Sequence, residues 1–131
     1  MADNVALVEQ AYEAFGRGDI AAVVGMCSDD LEWHEAEHST YWSGEVLRGP
    51  QQVVDRVLRP IAEDNTDFRI QLDRIVGCGD TVLVQGRYLG TWRASGRAYD
   101  IQMAHVWDLA DGLLVRFQQY TDTQAWTELK G

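Results

Sequence analysis

Ile101-Gln102-Met103-Ala104-His105-Val106-Trp107-Asp108-Leu109-Ala110-Asp111-Gly112-Leu113-Leu114-Val115-Arg116-Phe117-Gln118-Gln119-Tyr120-Thr121 is the stretch that decides the fold. Two runs of alternating character flank an Asp-Gly pair. Asp-Gly accepts the left-handed backbone of a tight reverse turn, so the spacing predicts a β-hairpin with strands over 99–109 and 113–121. Side chains alternate faces along a strand. Met103, His105, Trp107 and Leu109 therefore share one face, and Gln102, Ala104, Val106 and Asp108 the other. Val115, Phe117, Gln119 and Thr121 share a face on the partner strand.

Upstream, Ala94-Ser95-Gly96 closes a long strand over 81–93, with Val84, Gly86, Tyr88, Gly90 and Trp92 on one face. The two glycines are expected to leave room beside Tyr88. Phe68, Ile70, Leu72 and Ile75 form a strand that ends at Gly77-Cys78-Gly79-Asp80. The first half has a helical period instead. Val5, Val8, Ala11, Tyr12 and Phe15 recur at helix spacing, with Asp3 or Asn4 to cap the start and Gly16 and Gly18 to stop it. Asp19 caps a second short helix over 20–27, and Ser28-Asp29-Asp30 reads as a turn. Leu31, Trp33 and Glu35 alternate with Glu32 and His34 as a strand, and residues 36–48 read as a loop. Gly49-Pro50 opens a third helix over 51–64, which Pro60 should kink. Asp122 caps a terminal helix carrying Trp126 and Leu129. Helices first and antiparallel hairpins after define an α+β fold.

The chain has 131 residues, enough for a single domain over 1–131 with its own core. Its 11 Lys+Arg against 21 Asp+Glu give a net charge of -10. A nucleic-acid surface needs clustered cations, and no basic run exists, so nucleic acid is not expected as a partner. The same charge disfavours an anionic membrane, and no apolar run reaches the roughly 20 residues of a span. The N-terminus carries Asp3 and no cationic signal region, and Cys27 and Cys78 need no pairing, so the expected compartment is the cytoplasm.

Candidate chemistry sits on the strand faces. His105 stands among large apolar neighbours, where its charged form is disfavoured; it is a candidate general base. The other reading is a core histidine bonded to backbone. Tyr88 offers a phenol beside it, and Gln119 is a polar group that needs partners or a ligand. Trp33 and Glu35 point one way and His34 the other. His34-Glu35-Ala36-Glu37-His38 matches H-E-x-x-H by letter, but that zinc motif needs a helix. On a strand the two histidines stand about 13 Å apart at about 3.3 Å per residue. No metal is assigned there, and no cofactor is implied.

Gly18-Asp19, Ser28-Asp29-Asp30 before Leu31-Glu32-Trp33, and the close Val106-Trp107-Asp108-Leu109-Ala110-Asp111-Gly112 resemble the NTF2-like superfamily. The likeness is greatest to its SnoaL-like polyketide cyclase and ketosteroid-isomerase-related branch. It spans the whole chain. It implies a cone, in which a curved mixed or antiparallel sheet is wrapped by three to four helices around a central pocket, and homodimers through the outer sheet face. The isomerases' carboxylate base falls on Glu35, and their oxyanion-hole aspartate, a worked case of a neutral buried acid, on His105. Their tyrosine falls on Ala11, one place before Tyr12. The cyclases' histidine also falls on His105 and their aspartate on Gln119. Epoxide hydrolases of this fold carry arginine and aspartate where Gly86 and Tyr88 stand, so that chemistry is not expected.

The expected function is therefore an enzyme acting on an apolar carbonyl compound by general acid–base chemistry, of isomerase, cyclase or lyase type. His105 and Glu35 are the catalytic candidates. Tyr12, Trp33, Tyr88, Met103, Trp107, Phe117 and Gln119 are the pocket candidates. The alternatives are a non-catalytic small-ligand-binding or accessory dimer, and a dimer with a filled core.

Overall fold

A computed structural model describes residues 3–130. Helix α1 (Asn4–Gly16) starts where the Asp3 side chain accepts the Ala6 N–H at 3.1 Å. Helix α2 (Ile20–Gly25) starts the same way, with Asp19 accepting from Ala22. Each cap satisfies a helix N–H that has no partner within the helix.

Six strands form one curved sheet: β1 (Cys27–His34), β2 (Leu47–Arg48), β3 (Asn65–Cys78), β4 (Thr81–Trp92), β5 (Arg97–Ala110) and β6 (Leu113–Thr121). Their order is β2-β1-β6-β5-β4-β3. Only β1 and β6 pair in parallel, so the sheet is mixed. Asp111 and Gly112 both have positive φ, 52° and 76°, so the β5–β6 hairpin turns as the Asp-Gly pair predicted. The inner face of β5 carries Ile101, Met103, His105, Trp107 and Leu109, all buried.

Several boundaries differ from expectation. Ser28–Asp30 is not a turn before the strand. It lies inside β1, where the pairing to β6 jumps from Cys27↔Leu114 to Glu32↔Arg116 and the extra residues bulge out. A second irregularity, between Asp108 and Leu109, puts Leu114 rather than Val115 on the buried face of β6 with Phe117. The 36–48 loop holds β2, which pairs with Glu32 and Trp33. Strand β3 begins three residues earlier than Phe68 and bends at Asp67, whose φ is 55°.

The helical stretch after Gly49 is continuous: α3 (Pro50–Val53), a π-helical turn over Val54–Leu58, and α4 (Arg59–Asp64). Pro60 has no N–H to give to Arg56, and the wider turn directly before it absorbs the missing bond instead of a sharp kink. Terminal helix α5 (Thr123–Lys130) packs Trp126 against Tyr88 and Tyr99.

The glycines of β4 do not enlarge the interior. A Cβ on Gly86 would collide with the Gln71 carbonyl, and one on Gly90 would meet the Tyr99 hydroxyl at 2.7 Å. They let neighbouring strands come close at the β3 irregularities, which bends the sheet over the helices. Two buried clusters result. One joins α1, α5 and the sheet; the other joins Leu31, Leu47, Val53 and Val57 at the β1 end.

Candidate active site

Between these clusters lies a cavity of about 770 Å³ of empty space, its mouth included. Helix 50–64 supplies one wall through Val53, Val57 and Ile61, spaced four residues apart on one helical face. Trp33, Trp107 and Phe117 supply the opposite wall. Their rings lean on one another, with Trp33 stacked on Phe117 at 3.8 Å and Trp107 tilted on Phe117 at 4.6 Å. They line the space without filling it.

Polar groups enter this apolar space from α1, β4, β5, β6 and the residue just past β1. Glu35 follows β1 directly and is 8% exposed. Its Oε1 accepts the Trp33 indole N–H at 2.7 Å. That bond follows from the alternation that put both residues on one face. Burial pushes the Glu35 carboxyl up to about 7, while the Trp33 donor and the nearby Ser39 hydroxyl pull it back part of the way. No cation stands against it among the described ion pairs. The group therefore changes charge near neutrality.

His105 sits at the centre of β5 between two phenols. Tyr12 Oη lies 2.5 Å from its Nδ1 and Tyr88 Oη 2.5 Å from its Nε2. Tyr12 Oη also accepts the Trp107 indole N–H at 2.9 Å, and Tyr88 Oη accepts a Gln119 amide N–H at 2.8 Å. Gln119 Oε1 in turn accepts the Ala36 backbone N–H at 3.1 Å. The chain of bonds thus runs from the residue after Glu35 to helix α1. Burial holds His105 down to about 3 and both phenols above the ordinary tyrosine value.

Proton counting gives this network a property. The neutral imidazole has one N–H, so it donates to one phenol and accepts from the other. The phenol that accepts keeps its own hydrogen. With either tautomer one phenolic hydrogen remains unused by the network, and both tyrosines line the cavity. An oxyanion placed there would meet a donor already oriented by Trp107 or Gln119.

The structure thus brings together Glu35, His105, Tyr12, Trp33, Tyr88, Trp107, Phe117 and Gln119. Met103 does not join them. It is buried on the same face, but its methyl packs beside Gly86 rather than lining the cavity. Burial disfavours the charged form of His105, and both of its ring nitrogens already face phenol oxygens. Tyr12, one residue past the place counted for the isomerase tyrosine, does reach the site. Val53, Val57 and Ile61 belong to the apolar side that the spacing gives the third helix, and the structure turns that side into a wall of the cavity. Ser39 was missed, since a serine in a polar stretch carries no periodic signal. The H-E-x-x-H side chains diverge: His34 lies 3.5 Å from Glu32, His38 leans on Trp42 with ring centroids 4.7 Å apart, and Glu35 turns inward. Among the described residues no three His, Cys, Asp or Glu side chains converge as a metal site, and no helix is long and apolar enough to cross a membrane.

A curved mixed sheet folded over helices around an apolar pocket is the architecture of NTF2-like proteins. Within that superfamily the chain belongs to the SnoaL-like domain family, which matches residues 8–117. An NTF2-like protein from Burkholderia thailandensis E264 is similar along the whole chain, with 30% identity, 100% of this chain and 99% of that chain covered, and a TM-score of 0.94. An NTF2-like protein of unknown function from Burkholderia pseudomallei K96243 is 26% identical over 98% of each chain, with a TM-score of 0.88. A protein from Jannaschia sp. CCS1, provisionally described as a SnoaL-like polyketide cyclase, shares the fold at 18% identity, covering 96% of this chain and 90% of that one with a TM-score of 0.81. None of the curated proteins compared with the chain matches it.

Proposed function

We propose that this protein is a small-molecule enzyme that moves a proton beside a carbonyl group of an apolar substrate. The observation that carries the reading is Glu35: a carboxyl inside an apolar cavity, poised near neutrality, sharing that cavity with a phenol–imidazole–phenol array. Ionised Glu35 takes a proton from the carbon next to the carbonyl. The electron pair of that C–H bond moves onto the carbonyl oxygen. The free phenolic hydrogen of Tyr12 or Tyr88 bonds the resulting enolate. Where a carbon–carbon double bond lies β,γ to the carbonyl, the enolate is a dienolate and takes the proton back from Glu35 at its γ carbon, which is isomerisation. Where the enolate carbon instead attacks a second carbonyl carbon of the same molecule, the oxygen of that carbonyl takes the Glu35 proton, which is ring closure. His105 is a positioning residue that holds the two phenols, and Gln119 fixes Tyr88. Trp33, Trp107 and Phe117 hold the apolar body of the substrate.

The test is deuterium exchange at the activated carbons of 2-tetralone in D2O, followed by proton NMR. The protein should accelerate exchange, with a rate that rises as pH passes about 7 and Glu35 ionises. Glu35→Gln should lose about 10²–10⁴-fold, the usual contribution of a positioned base. Equal exchange by wild type and Glu35→Gln refutes the assignment.

One observation favours a second reading, a binding module without catalysis. Gln119, at the cyclase aspartate's place, spends both ends of its amide on Ala36 and Tyr88 and takes no proton. Binding of 2-tetralone with no exchange at any pH would select it.

We also infer that the outer sheet face pairs with a second copy. Leu83 stands opposite Val106, and Ala104 opposite Tyr120, on the face away from the cavity. Leu83 and Tyr120 are among the exposed large apolar side chains, and such a patch favours burial against a partner.

A further inference from the structure

Glu35, Tyr88 and Gln119 have a second side. Together with Ile61, Phe68 and Trp126 they also line a smaller chamber of about 330 Å³ of empty space, and Ser39, Thr40 and Tyr41 complete its lining. The two chambers differ in chemistry. Beyond the acid, phenol, imidazole and amide groups described above and the Cys27 thiol, the larger one is walled by aliphatic and aromatic side chains. The smaller one adds hydroxyls.

Two of these hydroxyls are anomalous. Ser39 Oγ and Thr40 Oγ1 are buried atoms that make no hydrogen bond of normal geometry to the protein. Ser39 approaches the Glu35 carboxyl without completing one. A buried hydroxyl without a partner is destabilising, so such groups are rare in structural positions. The segment that carries them is not slack. The Ser39 N–H donates to Ala36 O at 3.0 Å, the Trp42 N–H donates to Ser39 O at 3.1 Å, and Ala36 is tied to Gln119. The loop is therefore pinned to the site with its hydroxyls held in place.

Among the described residues, no cation lines the chamber. Tyr41 spends its hydroxyl hydrogen on Asp64 at 2.9 Å, and the Arg93 guanidinium is bound to the Glu63 and Asn65 carbonyls outside the lining. A carboxylate or phosphate would meet Glu35 and no counter-charge. A neutral oxygen can accept from one hydroxyl and donate to the other.

We propose that the smaller chamber is a specificity subsite for a neutral hydroxyl or carbonyl group at one end of the substrate, held by Ser39 and Thr40. The apolar body then occupies the larger cavity, and the carbons between pass Glu35. The substrate class is an apolar ring compound with a second neutral oxygen remote from the reacting carbonyl. This rests on the proposed function and sharpens it.

The test reads binding rather than turnover, so the two can fail separately. Isothermal titration compares 2-tetralone with its 5-, 6- and 7-hydroxy derivatives, using wild type, Ser39→Ala, Thr40→Val and the double variant. At least one hydroxy derivative should bind wild type about tenfold more tightly than the parent ketone, as one or two added hydrogen bonds allow. The double variant should lose that preference while keeping its affinity for 2-tetralone. Its melting temperature should be unchanged or raised, because each substitution removes an unsatisfied buried hydroxyl. Equal affinity for all four ketones, binding by none of the derivatives, or a preference that survives in the double variant overturns the subsite. A preference for the hydroxy ketone without Glu35-dependent exchange would leave the subsite standing and remove the proposed reaction.

Discussion

The stability of a Glu35→Gln variant relative to wild type should rise from acid to alkaline pH. The Glu35 carboxyl is raised from 4.5 to about 7 by burial. A folded-state value above the unfolded one means that the folded state binds the proton more tightly. The stabilisation this brings is fully present below about pH 4.5 and is lost as pH rises through about 7. At about 1.4 kcal/mol for each pH unit between those two values, the loss is about 3 kcal/mol. The glutamine of the variant cannot titrate. It keeps a carbonyl oxygen for the Trp33 N–H, so the pocket retains its shape. Urea unfolding of both proteins at pH 4.5, 6, 7 and 8.5 gives the difference in stability at each pH. Subtracting one protein from the other cancels every other titrating group. The difference should move by about 3 kcal/mol in favour of the Glu35→Gln variant between the extremes, with its midpoint between the two pKa values. A flat difference would mean that the carboxyl is hydrated or paired, and the reasoning from burial would be refuted.

His105 gives the opposite slope. Its folded value, about 3, lies below the unfolded 6.5, so its contribution is present above pH 6.5 and lost as pH falls towards 3. His105→Gln should flatten this acid limb by about 4 kcal/mol, read from unfolding curves between pH 7 and 3.5. Gly86→Ala should cost about 2 kcal/mol or more, or abolish soluble protein, because its Cβ collides with backbone at Gln71; a melting temperature within a degree of wild type would contradict the strand approach described above. Leu83→Glu should convert a dimer to a monomer in sedimentation at micromolar concentration. A wild-type monomer under those conditions would remove the outer face as an interface.

The parts of this fold legible in the sequence are those set by short periods. Alternation along 101–109 named the buried face of β5 correctly, since a one-residue slip would have placed Asp108 and Gln102 inside. Asp3, Asp19 and Asp122 announced their helices because a cap is a local hydrogen bond. Pairing irregularities were not legible. The bulge in β1, the switch from Val115 to Leu114 and the bend at Asp67 depend on how strands meet across the sheet. Pro60 revealed a disturbed helix but not the π-helical turn that absorbs it. The site was half legible. Glu35, His105 and Tyr88 followed from strand faces. The contact of Tyr12 with His105 depends on how α1 lies over β5, and counting along the chain stopped one residue short of it. Ser39 and Thr40 look like surface residues in sequence, and only the folding of their loop buries their hydroxyls.

The proposed reaction needs a carboxyl at Glu35 that ionises near neutrality inside an apolar pocket. Carbon-13 NMR of protein labelled at the glutamate side-chain carboxyl, with Glu35→Gln to assign the resonance, measures this directly. A Glu35 signal titrating at about 7, well above the remaining glutamates, is the predicted result. A Glu35 signal that titrates with the ordinary glutamates near 4.5 would contradict the account, because such a carboxylate would be solvated and would have no reason to act on a buried ketone.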